Sequence, residues 1–106
     1  MDLVTQVYNL SEHLPKSEDY ILSSQIKRAA ISIPSNISEG WARKSNKAFA
    51  NFLKIAFGSL HEVLTQLQII KNLFKIDISE LRLNFIELSK MINGFIKYIE
   101  YKHQNT

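Results

Sequence analysis

The chain has 106 residues, one domain by length, with 45% hydrophobic and 22% charged residues, three glycines, two prolines and no cysteine. This composition excludes a disordered chain, disulfides and thiolate chemistry. It argues against a turn-rich all-β fold and makes the cytoplasm the expected compartment. The net charge of +3 is mild but uneven: Arg43, Lys44, Lys47, Lys54, Lys71 and Lys75 stand against Glu62 alone in the middle third, while residues 1–42 lean acidic and residues 76–106 balance.

Leu3, Val7, Leu10 and Leu14 recur at three or four residues and predict a first helix over residues 2–14, capped by Asp2 and stopped by Pro15. Ser17 is placed to cap a second helix, with Glu18 and Asp19 in its first turn. That helix carries Leu22, Ile26, Ala29, Ala30, Ile33, Ile37 and Trp41 on one face. The stripe keeps its phase on both sides of Pro34, which predicts one proline-kinked helix reaching Gly40 or a little beyond. The alternative is a break into two short helices.

A turn over residues 40–46 leads to a third helix capped by Ser45 or Asn46 and ending near Phe74. Its main stripe runs from Phe49 through Leu53, Ala56, Leu60, Val63 and Leu67 to Phe74, while Ile55, Phe57, Ile69 and Leu73 fall outside it. Apolar residues on more than one face predict burial on more than one face, hence a subunit interface. Gly58, mid-helix, is expected to serve a close helix approach. Asp77 or Ser79 caps a fourth helix, on which Leu81, Phe85, Leu88, Ile92, Phe95 and Ile99 form a near-heptad seam. Residues 102–106 are expected to fray. The fold class is all-α: a single up-down-up-down antiparallel four-helix bundle over residues 1–106. A core of this size is modest, so self-association is expected to contribute to stability.

No stretch reaches the roughly 18 uninterrupted apolar residues of a membrane span, and the start lacks the basic-then-apolar pattern of a secretory signal, so no membrane partner is expected. His13, His61 and His103 fall on three different helices without a Glu-x-x-His pair, so no metal site is expected. Three scattered glycines cannot form a phosphate or dinucleotide loop, and Ser32, Ser35 and Ser38 lack a nucleophile elbow and a neighbouring histidine. Neither a catalytic constellation, a cofactor nor a small-molecule substrate is expected.

Two polar features stand out instead. Gln25, Arg28, Ser32, Ser35, Asn36 and Glu39 step along the second helix opposite its apolar stripe, and Ser59, Glu62 and Gln66 do the same on the third. These stripes are either ordinary solvated surface or a buried network in which Arg28 pairs with Glu62 or Glu39. The second feature is Arg43, Lys44, Lys47 and Lys54 at the turn and the start of the third helix, where cations oppose the helix dipole. Phosphate contact is one reason to place them there; a solvated basic face is the other. Trp41 could stack on a base, but its phase with the core stripe points to a core or interface position.

The run QIKRAAISIPSNISEG over residues 25–40, followed by Trp41, the basic turn Arg43-Lys44-Ser45 and FANFLKIAFGSLHEVLTQL over residues 49–67, resembles the bacterial four-helix-bundle family also called the 23S rRNA intervening-sequence proteins. Lys27 stands where that pattern has arginine, and Ser38 where it has alanine. The resemblance implies an antiparallel four-helix bundle assembled as a homopentameric ring, with no enzymatic activity assigned. The family is similar in fold to the accessory variability determinant of diversity-generating retroelements, which binds nucleic acid. The resemblance therefore implies RNA or DNA as a partner besides self-association. Family members usually carry a longer first helix, with an aromatic-rich segment before the position of Leu3.

Overall fold

The computed structural model describes residues 2–104, with side chains described as far as Lys102. Four helices, α1 (Leu3–Ser11), α2 (Ser24–Ala42), α3 (Asn46–Phe74) and α4 (Ser79–Gln104), form a rod of 51 × 22 × 21 Å. The chain alternates direction. Ser32 of α2 meets Ser59 of α3, and α4 starts beside Gln68 and Lys71 and ends where Lys54 meets Glu100. It is an all-α four-helix bundle, and no strand occurs among the described residues.

Asp2 caps α1, its Oδ1 accepting from the Val4 amide at 2.9 Å. The helix stops at Ser11, three residues short of the expected Leu14. Pro15 forces its predecessor out of the helical region, so the last residues close with shorter-range bonds, His13 N–H to Leu10 O and Leu14 N–H to Ser11 O. Leu14 still reaches the core, 6% exposed. Ser17 does not cap α2. Pro15 starts a tight 3₁₀ turn over Lys16–Glu18, and a wide π turn over Asp19–Ser23 then feeds into α2 without any side-chain cap. Overwinding followed by underwinding compensates, which leaves Leu22 and Ile26 both buried.

α2 runs unbroken through Pro34, which lies on an exposed edge. The missing N–H removes the bond to the Ala30 carbonyl, the physical source of a proline kink, but does not end the helix. Ser45 caps α3, its Oγ accepting from the Ala48 amide, and Lys75 ends it in a left-handed conformation with φ 58°. Asp77 Oδ1 accepts from both the amide and the hydroxyl of Ser79 at the start of α4. α4 continues to Gln104, past the Lys102 where fraying is expected; Asn105 and Thr106 lie outside the described residues.

The core lies along α3, where Ala56, Leu60, Val63, Leu67 and Ile70 are fully buried against Ile26 and Ala30 of α2 and Phe85 and Ile92 of α4. Three sequence expectations change. Trp41 is 72% exposed, so it is no part of this chain's core. Phe95 is half exposed and Ile96 takes its place, because the core seam of α4 steps by four after Ile92 before returning to Ile99. Gly58 makes no close helix approach within the chain, since a Cβ there would meet nothing within 4 Å. The close approach belongs to Gly40, where a Cβ would lie 2.7 Å from Phe52 Cβ and 3.0 Å from Phe49 Cδ1.

Candidate functional site

The α2–α3 turn is built by that close approach. Gly40 lets the end of α2 press onto Phe49 and Phe52, and the chain reverses through Arg43 and through Lys44, which adopts a left-handed φ of 54°. The Arg43 and Lys44 amides donate back to the Gly40 and Trp41 carbonyls, closing the C-terminus of α2. The four cations predicted as a group then divide. Arg43 is folded back onto its own helix, with Nη2 2.7 Å from Glu39 Oε1 and the guanidinium 5.2 Å from the Phe52 ring. Lys54 Nζ pairs with Glu100 Oε2 at 2.7 Å. Lys44 and Lys47 are exposed and make no ion pair among the described residues. The net positive charge of the turn therefore rests on these two lysines.

The polar stripes are partly joined. Ser32 and Ser59 share a hydrogen bond of 2.7 Å across α2 and α3, and Asn36 Nδ2 donates to both the carbonyl and the hydroxyl of Ser32. One turn further along α3, Gln66 Nε2 donates to Glu62 Oε1 at 3.4 Å. Gln66 is 5% exposed and its Oε1 is buried without a partner, as is the hydroxyl of Ser23. Arg28 is exposed and makes no ion pair with Glu62 or Glu39; Glu39 is taken by Arg43. Within the chain the expected network is a small clasp centred on Ser32, Ser59 and Asn36.

Beside this clasp, α3 exposes Ile55, Ile69 and Leu73 at 52%, 40% and 65%. Their spacing of fourteen and four residues puts them on one outer face with Gly58, Ser59 and Glu62. At the turn itself an open cavity of about 230 Å³ is lined by Gly40, Trp41, Ala42, Lys44, Ser45, Asn46 and Phe49. Sequence periodicity missed the exposure of Trp41 because its angular position on α2 matches the buried stripe, and period carries no information on what lies opposite.

His13 is exposed, with Nδ1 within 3.0 Å of the Asn9 carbonyl oxygen, and His61 is exposed against the Phe57 ring. The His103 side chain lies outside the described residues. Among the described residues, no three His, Asp or Glu side chains gather as a metal site, and no helix is long and apolar enough to cross a membrane.

A model of the 23S rRNA-intervening sequence protein family matches residues 1–94. The chain belongs to this family. The matched residues include the Pro34 helix, the Gly40 close approach, the basic turn and all of α3. No curated protein matches the chain.

Proposed function

We propose that this member of the 23S rRNA-intervening sequence protein family is a non-enzymatic, self-associating helical bundle of the cytoplasm that contacts RNA or DNA phosphates through its α2–α3 turn. The observation that carries this reading is the pair Lys44 and Lys47, exposed at a tight turn and paired with no carboxylate among the described residues. The nearby acids, Glu39 and Glu100, are already engaged by Arg43 and Lys54, so an approaching phosphate meets little repulsion. Self-association is supported by the exposed Ile55, Ile69 and Leu73 on the outer face of α3, and the family resemblance favours a homopentamer.

Fluorescence anisotropy of a labelled RNA against the protein, repeated across salt concentrations, tests the turn. Affinity should fall as salt rises, and the double reversal Lys44→Glu, Lys47→Glu should weaken binding to every sequence alike and flatten the salt slope by about one unit per lost phosphate contact. Binding that ignores salt and the double reversal would sink the reading. A second reading, an assembly with no nucleic-acid role, is favoured by the internal pairing of Arg43 and Lys54. It is the one that stands if light scattering finds an oligomer while no RNA or DNA binds.

A further inference from the structure

Four residues before Ser32, Arg28 shares its face of α2 and so lies on the α3 side, whereas Lys27 turns to α1, 5.0 Å from the Tyr8 ring. Three residues past Ser59, Glu62 lies on the α2 side of α3. The two helices run antiparallel, and the 2.7 Å bond between Ser32 and Ser59 fixes their register. Moving back from Ser32 and forward from Ser59 follows the axis in one direction. Arg28 and Glu62 therefore sit within about 1.5 Å of the same level along the rod. Both are exposed, and neither enters an ion pair among the described residues.

The surroundings of this charge pair are apolar. Ile55, Glu62 and Ile69 repeat every seven residues and form one line on α3, roughly 21 Å long. Leu73 continues the line, and Ile55, Ile69 and Leu73 are all exposed. The floor between the helices is closed by Ser32, Ser59 and Asn36. The face is made of α2 and α3 residues alone. The Lys54–Glu100 pair, where α4 nears its end, is about 12 Å further along α3 from Glu62.

Building on the proposed self-association, we infer that this face is a contact between copies of the chain. Arg28 of one copy pairs with Glu62 of the next, and Ile55, Ile69 and Leu73 shield the pair from water. Charge selects the occupant. A nucleic acid would set its phosphates against Glu62, and a basic partner would set its cations against Arg28. A second copy offers both signs. Rotation about an axis parallel to the rod leaves every residue at its own level, so a copy generated in this way brings its Glu62 level with Arg28. The apolar border excludes water and makes this pair stronger than the exposed pairs of Arg43 with Glu39 and Lys54 with Glu100.

Sedimentation equilibrium of the full chain measures the association. Arg28→Glu sets two carboxylates against each other at the contact, and Glu62→Arg sets two guanidinium groups together. Each should raise the dissociation constant about tenfold or more. An equimolar mixture of the two variants returns opposite charges to contacts between unlike chains and should restore assembly. The double variant Arg28→Glu, Glu62→Arg should do so on its own. Both positions are exposed, and unchanged helical circular dichroism verifies the fold. Rescue by the double variant but not by the mixture would place the pair within one chain and overturn the contact. Losses that neither combination restores would overturn it as well. Native-like assembly of both single variants would put the contact on another face and leave self-association standing. A native chain that stays monomeric at every concentration reached would overturn both.

Discussion

Along the α2–α3 seam the two backbones close until Gly40 has no room for a side chain, and Ser32 and Ser59 bond across the interface. On the opposite flank, a nine-residue α1 packs beside an α4 of 26 residues, and Leu3 and Val4 line an open cavity with Phe85 and Leu88. Both flanks use the same apolar residue types. The difference is length and proximity: α2 and α3 supply long facing stripes with a glycine at their tightest point, whereas α1 docks through Val7, with Leu14 buried just beyond its end. One flank is built for rigidity, and the other is joined more loosely.

The sharpest way to break the first flank is Gly40→Ala. The new methyl would fall 2.7 Å from Phe52 Cβ, an atom fixed to the α3 backbone, so the helices must separate rather than a side chain swing away. The expected cost is about 3 kcal/mol, at the upper end for overpacking, read from chemical denaturation. Gly58→Ala is the control of opposite sign. It is open on all sides within the chain and should gain about 0.5–1 kcal/mol from helix propensity. A loss at Gly58 accompanied by a change in oligomeric state would mean that the close approach expected there occurs between chains.

Val7 and Val63 allow the two flanks to be compared with one chemistry, since both are 0% exposed. Val63→Ala should cost about 2 kcal/mol, two methyl groups plus a cavity in a region held on both sides. Val7→Ala should cost less than half of that, because α1 can open locally without unfolding the rest. Native-state hydrogen exchange gives the same comparison without substitution: α1 amides should exchange well before those of α3. Equal protection would mean that α1 is locked by something outside the single chain.

The Gln66 side chain is a polar weak point within the rigid seam, as the buried Ser23 hydroxyl is at the start of α2. Its amide nitrogen has Glu62, but its oxygen is buried with no partner. Gln66→Leu removes that cost and should stabilise the isolated chain by about 1 kcal/mol in thermal melts. Destabilisation instead would locate a donor on a second copy and turn this position into part of an interface.

How much of this was legible in the residues depends on which physical rule decided each position. The unbroken α2 followed from stripe phase on either side of Pro34, and the Ser45 cap and the α3 core followed from local chemistry and period. Phe95 was misplaced, and Trp41 proved to lie outside the chain's own core, because periodicity reports the direction a residue faces, not whether a neighbour is there to bury it. The division of the four cations was also out of reach. Arg43 pairs with Glu39 one helical turn away, a relation readable on a helix, but Lys54 finds Glu100 across 46 residues. The glycine question was settled by interhelical distance, which spacing alone does not carry.

The smallest effect belongs to the α3–α4 connection, where the rigid seam passes into the looser flank. The Ser79 hydroxyl, and then the Ser79 amide, donate to the Asp77 carboxylate and hold its pKa below the ordinary value of 3.8. A carboxyl that titrates lower in the folded state stabilises the fold fully above its unfolded pKa. That contribution is lost as pH falls below 3.8 and through the folded value, so acid should loosen the first turn of α4 before it affects the seam. Asp77→Asn should remove this pH dependence while keeping an acceptor for the Ser79 amide. The measurement is the Ser79 amide resonance followed by NMR from pH 6 downward. Its titration should track Asp77 in the native chain and vanish in the variant, and a Ser79 signal that moves identically in both would assign the acid sensitivity to another group.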